Sequence, residues 1–187
     1  MSGQDFLTNQ FLVAMPAMLD SNFAQTVTLI WEHNADGALG IIINRPLQMK
    51  LADVFEQLKM PTPSAAVGQQ AVLQGGPVQT DRGFVLHHIG GEWEHTRQIS
   101  SRIQVTTSPD ILDAMARGIG PATAVVALGY AGWGAGQLES EVANNAWLTV
   151  PCDERIIFDT PFEQRWRAAG RLLGIDLATM SPHAGHA

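Results

Sequence analysis

The 187-residue sequence predicts a single α+β domain. Seven short apolar or β-branched stretches bounded by turn residues read as strands, and helix-period segments lie among them without regular strand–helix alternation. No internal repeat or linker divides the chain, and a chain of this length buries roughly 70% of its unfolded surface without disulfides or metals. The domain is expected over residues 1–176, with 177–187, ending in SPHAGHA, as a disordered tail.

Strands are expected at Phe11 to Met15, Thr26 to Trp31, Leu39 to Asn44, Ala71 to Leu73, Gly83 to His88, Ile103 to Thr107 and Thr123 to Leu128. Ile41, Ile42 and Ile43 form a continuous apolar run suited to a strand covered on both faces. After them, Leu51, Val54, Phe55 and Leu58 fall on one face at helical spacing and predict a helix over Leu51 to Leu58. PTPSAAVGQ at 61–69 reads as a surface loop by its Pro, Ser and Gly content. SPDILDAMARG at 108–118 is the best-marked helix, with Ser108 as N-cap, Pro109 at the first helical position, acid early, Arg117 late and Gly118 as the stop. The run from Ala122 to Leu138 predicts a strand that breaks into a turn at Gly129, Gly132, Gly134 and Gly136 and then opens a helix. The uncharged stretch from Gly118 is long enough to raise a membrane span, but Pro121 and the glycines interrupt it, and a buried strand plus loop is the better reading. Phe162, Trp166, Ala169 and Leu173 share a stripe that predicts a helix over Phe162 to Leu173, ended by Gly174.

Charged residues make up 16% of the chain, below the usual value of roughly 25%, and a weakly charged surface favours a protein partner or homo-oligomer. The net charge of -7 disfavours nucleic acid, whose sequence-independent affinity comes from Lys and Arg neutralising phosphates. Cys152 is the single cysteine, which excludes an intrachain disulfide and multi-cysteine zinc sites. With an N-terminal stretch that lacks the cationic start and long apolar run of a signal peptide, it points to the cytoplasm.

A phosphate site at the glycine run is disfavoured: Gln137 stands where a GxGxxG motif needs its third glycine, no cation is near, and Glu139 and Glu141 would repel an anion at the helix start, so tight chain reversal with close approach around Trp133 is the better reading. Arg45 is more informative. Pro46 keeps the preceding residues extended, so Arg45 emerges at a strand end, where it could bind a carboxylate or phosphate or make an internal salt bridge or cap. Gly75 and Gly76 could form an anion-binding nest, and beside Arg45 they would complete a small-anion pocket. Asp81 and Arg82 read as a pair or a strand cap. Glu32 and His33 are adjacent on a strand and point to opposite faces, as do His87 and His88, so neither pair forms a dyad. No metal-ligand spacing stands out, no GxSxG elbow occurs, and the acids after Cys152 would raise its thiol pKa. No catalytic residue, metal or cofactor is predicted.

Taken in order, FLVAMPAMLDSNF (11–23), Glu32–His33, GALGIIINRP (37–46), LQGGPV (73–78), FVLH (84–87), ALGYAGWGAGQLESE (127–141), NNAWL (144–148), RIIF (155–158) and LGID (173–176) resemble the AlgH/YqgE family of small bacterial proteins. The resemblance implies a barrel-like mixed β-sheet surrounded by helices, and a label of transcriptional regulator taken from a proposed role in alginate control. The positions matching the family signature are Asp20, Phe23, Asn44, Arg45, Pro46, Gly75, Gly76, Pro77, Gly129, Gly132 and Trp133. From these, Asp20, Asn44, Arg45, Gly75, Gly76, Gly132 and Trp133 are nominated as a candidate binding site. The first function expected is a cytosolic, non-enzymatic regulatory or binding protein acting through protein contacts or a small anionic ligand. The second is a hydrolase or nucleotide-using enzyme whose pocket joins Arg45, Gly75, Gly76 and the Gly132 turn. The third is a transcriptional regulator, with direct DNA binding disfavoured by charge.

Overall fold

A computed structural model describes residues 6–61 and 63–180. Among these described residues ten strands form one sheet: β1 (Gln10–Ala14), β2 (Val27–Asn34), β3 (Gly37–Ile42), β4 (Pro46–Lys50), β5 (Ala71–Gln74), β6 (Val78–His88), β7 (Thr96–Gln98), β8 (Ile103–Thr106), β9 (Ala124–Gly134) and β10 (Trp147–Pro151). The order is β10-β1-β2-β3-β9-β6-β8-β7, with β4 paired to β5 and β5 lying parallel to β9. β2 and β7 stand five places apart in that order, yet Arg97 of β7 meets Glu32 of β2 at 3.1 Å. The sheet is therefore strongly curled into a half-barrel, the barrel-like mixed sheet expected for the α+β domain.

Among the described residues six helices flank it: α1 (Leu51–Gln57), α2 (Ala65–Gly68), α3 (Asp110–Ala116), α4 (Gln137–Ala143), α5 (Glu154–Phe158) and α6 (Arg165–Arg171). α1 starts where the Asp53 carboxylate accepts the Lys50 amide at 2.8 Å, and it buries Leu51, Val54 and Phe55 on the face its spacing predicts. β1 is buried on both faces. Phe11 and Val13 pack inside the curl with Leu29, Ile41 and Trp166, while Leu12 and Ala14 pack on the other side with Ile30, Trp133 and Trp147. A further cluster joins α1 and α3 to the outer face through Val54, Phe55, Val85, Leu112 and Met115.

Several local expectations change. The glycine run is not a turn: β9 continues through Gly129 and Gly132 to Gly134, and its second half pairs with β3. The 61–69 segment contains α2, with the Ser64 hydroxyl accepting from Val67 N. Pro109 rather than Ser108 is the N-cap of α3, because the Ser108 hydroxyl donates to Asp110 at 2.5 Å and accepts from His95 N. The stripe from Phe162 breaks into a 3-10 turn (Phe162–Gln164) and α6, which leaves Leu173 beyond the helix and exposed. Leu177 is 1% exposed against Gly170, so the packed domain passes residue 176; residues 181–187 of the expected tail lie outside the described residues. Among the described residues no helix is long and apolar enough to cross a membrane.

Candidate functional site

β3 ends at Ile42 and is followed by Ile43, Asn44 and Arg45, a corner that organises the loop of residues 15–26 between β1 and β2. The Asn44 side chain accepts from Val27 N at 2.9 Å and donates to Gln25 O at 2.8 Å. Arg45 donates through Nη1 to Asn22 O at 2.6 Å and through Nη2 to Ala24 O at 2.9 Å. Inside the loop, the Asp20 carboxylate accepts from Asn22 N at 2.9 Å and Thr26 Oγ1 donates to Phe23 O at 2.6 Å. Burial lowers the Arg45 pKa, opposed by the nearby Asp20 charge. The internal cap anticipated for Arg45 is thus present, made to backbone carbonyls.

A residue that sequence reasoning missed supports the corner from below. Arg165 is buried, donates to Ile43 O at 2.7 Å and to Thr160 O at 2.8 Å, and lies 4.4 Å over the Phe162 ring. Burial lowers its pKa to about 10, with Asp159 opposing, so it stays charged at neutral pH. Trp166 beside it donates to Ala14 O at 2.8 Å. The signal was available: position 165 lies three residues after Phe162 and four before Ala169, on the apolar stripe itself.

Gly75 and Gly76 adjoin this corner through Gln74 N, which donates to Arg45 O at 2.8 Å, but they do not form a nest. Both are buried, the Gly75 amide is used by Leu128 O at 2.7 Å, and its carbonyl by Ile42 N at 2.8 Å. A Cβ on Gly76 would stand 2.1 Å from the Tyr130 carbonyl carbon, and Gly129, at φ 78, faces Gly76 O across the same contact. These glycines let two backbones touch. The expected pocket joining Arg45, Gly75, Gly76 and Gly132 is not formed.

Gly132 and Trp133 lie elsewhere, in register with Leu39 and Ala38. Trp133, Trp147 and Phe23 pack with centroids 5.5–6.2 Å apart, and the Glu141 carboxylate accepts from Trp133 Nε1 at 3.3 Å and Trp147 Nε1 at 3.1 Å. Of the nominated residues, Asp20, Asn44 and Arg45 converge on the 15–26 loop. Trp133 meets that loop through the Phe23 ring.

Arg45 and Asn44 line a cleft of about 600 Å³ with Gln25, Phe162, Glu163 and Arg167. Two of the five Arg45 N–H groups serve the loop, which leaves three. Among the described residues neither Arg45 nor Arg167 makes an ion pair, whereas Arg97, Arg102, Arg117 and Arg155 each pair with a carboxylate.

His33 and His87, singled out earlier, are both engaged in hydrogen bonds. His33 Nδ1 accepts from Leu7 N at 2.9 Å and its Nε2 donates to Glu139. His87 bonds His88 O through Nδ1 at 2.8 Å and Thr106 Oγ1 through Nε2 at 2.7 Å, and burial lowers its pKa, opposed by the bond to His88 O. Burial first, then Asp153 and Glu154, pushes the Cys152 thiol up to about 12. Asp81 and Arg82 do not pair; Arg82 lies 5.3 Å over Phe84. Among the described residues no group of three metal-binding side chains occurs.

The family model described as AlgH-like matches residues 11–178. The chain belongs to the AlgH-like family. A UPF0301 protein of Thioalkalivibrio sulfidiphilus is 54% identical over 187 residues, covering all of both chains, and one of Nitrosococcus oceani is 52% identical over 182 residues, 97% of each. The solution structure of the AlgH protein from Pseudomonas aeruginosa superposes with a TM-score of 0.81 at 49% identity, over 100% of this chain and 99% of that one. A Corynebacterium diphtheriae protein shares the fold at TM-score 0.72 and 20% identity, over 91% and 89% of the two chains. The biochemical function of this AlgH-like family is unknown.

Proposed function

We propose that this AlgH-like protein is a non-enzymatic regulatory or binding protein that takes a small anionic group, a carboxylate or phosphate, in the cleft beside Arg45. One observation carries the reading. Arg45 is fixed by the carbonyls of Asn22 and Ala24, keeps three donors, and shares the cleft with Arg167, which makes no ion pair among the described residues. A guanidinium held in place before the ligand arrives loses little entropy on binding and offers fork geometry to an oxyanion. The structural engagement of His33, His87 and the high-pKa Cys152 thiol favours binding over catalysis. The setting we propose is the cytoplasm, which the single cysteine supports.

The test is a thermal-shift series with phosphate, citrate and sugar phosphates. An anion at a hundred times its Kd should stabilise the protein by about 2.7 kcal/mol. Arg167 is exposed, so Arg167→Ala should keep the fold and lose most of the shift. A wild-type protein unmoved by every anion, or a shift untouched by Arg167→Ala, would refute the proposal.

A second reading, contact with a protein partner or a second copy through the 15–26 loop, is favoured by Leu19. It is 93% exposed on a loop whose carbonyls at Asn22, Ala24 and Gln25 are held by the Asn44 and Arg45 side chains. Self-association measured by sedimentation should then fall in Leu19→Ser.

A further inference from the structure

A different cleft, of about 270 Å³, lies on the outer face of the sheet between α1 and α3. Val54 and Leu58 form one wall, Leu112 the other, and Val85 and Gly83 of β6 lie between them. Gly83 differs from the glycines that packing forces; like Gly132 and Gly134 of β9 it could carry a Cβ without a close contact, and what sets it apart is its place at the floor of this cleft. At Gly75, Gly76 and Gly129 an added Cβ would meet backbone atoms closer than 2.6 Å, so packing forces those glycines. At Gly83 a Cβ would meet nothing within 4 Å, and its backbone is not left-handed. Gly83 borders the register shift of β6, but the left-handed residue of that shift is Gln79, so the backbone conformation at 83 itself does not demand glycine. A glycine inside a strand weakens it and commonly marks a place where something approaches the backbone closely. Here neither the chain's packing nor its conformation accounts for the missing side chain, and the space it leaves is the bottom of an apolar cleft.

The cleft also has a charge. Among the described residues that line it, Asp81 is the only acidic or basic side chain, and its carboxylate makes no hydrogen bond or ion pair with them. Its chain neighbour does not neutralise it, because the Arg82 guanidinium is turned onto Phe84, a residue of the inner core. The volume sits just below the roughly 300 Å³ at which small-ligand pockets begin, which limits the occupant to a single ring or branched alkyl body with a short arm.

We propose that this cleft binds a small organic cation, its apolar body seated over Gly83 and its ammonium at Asp81. The site is separate from the Arg45 cleft, shares no lining residue with it, and stands or falls independently.

The test is an NMR titration of the whole chain with phenethylammonium, using phenylpropionate as the anion of matching shape. Saturable shifts are expected at the amides of Gly83, Val85 and Leu112, with phenylpropionate about tenfold weaker or more. Asp81→Asn should weaken phenethylammonium by about fivefold or more and should not weaken phenylpropionate, which loses a repulsion. Gly83→Leu, which fills the space, should abolish binding of both. Should that variant fold poorly, Gly83→Ala, whose methyl group meets no neighbour, should keep the spectrum and still weaken binding. No saturable shift up to about 10 mM, or unchanged affinity in Gly83→Ala, overturns the site. Equal binding of cation and anion overturns the role of Asp81.

Discussion

Replacing Gly76 by alanine should be among the most damaging single methyl additions this chain can suffer, and the structure gives the size of the effect. The new Cβ would lie 2.1 Å from the Tyr130 carbonyl carbon, 2.2 Å from its oxygen and 2.4 Å from Ala131 N, all backbone atoms that cannot rotate away. Relief requires the Gly75–Gly76 segment and β9 to part by more than about 1 Å, since such contacts normally open beyond roughly 3.5 Å. That separation stretches the Gly75 N to Leu128 O bond, now 2.7 Å, and threatens the Ile42 N to Gly75 O bond, now 2.8 Å. Overpacking costs about 1–3 kcal/mol, and each weakened buried bond adds about 1 kcal/mol, so the total is about 3–5 kcal/mol. In a chain of this size each kcal/mol moves Tm by about 2–4 °C, which predicts a fall of about 6–20 °C. Gly83→Ala is the internal control. Its Cβ meets nothing, and a strand glycine is about 0.5–1 kcal/mol worse than alanine, so its Tm should hold or rise slightly. Calorimetry and urea unfolding of both variants decide the matter. A Gly76→Ala protein within about 0.5 kcal/mol of the parent, or a Gly83→Ala protein equally damaged, would refute the close-approach argument.

Two further outcomes follow from buried polar groups. Arg165→Met removes the donors to Ile43 O and Thr160 O and leaves both carbonyls short of a partner; urea unfolding should show a loss of about 2–4 kcal/mol, and a neutral result would mean that water replaces the guanidinium. Burial lowers the folded-state pKa of His87 below its unfolded value, so the unfolded chain takes up the proton first. Stability should therefore fall as pH drops from about 6.5 towards the lower folded pKa, and His87→Gln should flatten that part of the pH–stability curve relative to the parent.

What could be read in the sequence divides along the range of the interactions. Strand β3 was legible because Ile41, Ile42 and Ile43 are consecutive, and α1 because Leu51, Val54 and Phe55 repeat at helical spacing. β4 and β7 gave little signal: β4 opens with Pro46 and is only half-buried at alternate positions, and β7 is exposed throughout. The glycines of β9 were misread for a definite reason. A glycine that turns a chain and a glycine that admits a neighbouring backbone look alike locally, and the neighbour here, Gly76, is 53 residues from Gly129. Likewise Pro46 announced that Arg45 stands at a strand end, but nothing nearby announced that its partners are carbonyls at residues 22 and 24.

The same distinction explains why a chain so readily placed in a family keeps its chemistry hidden. Asn44, Arg45, Gly75, Gly76, Gly129 and Trp133 made the family recognisable, and each has a structural duty: clamping a loop, admitting a backbone, or packing under Glu141. Such residues identify the fold whatever the protein binds. Function is better sought where a residue has no such duty within the described chain. Arg167 shares its cleft with Glu163 yet makes no ion pair among the described residues, Leu19 is almost wholly exposed on a hydrogen-bonded loop, and Asp81 stands unpaired above a glycine that packing does not require. These positions leave the fold indifferent to their identity, so substitutions there should alter binding and leave Tm in place, the reverse of the outcome at Gly76.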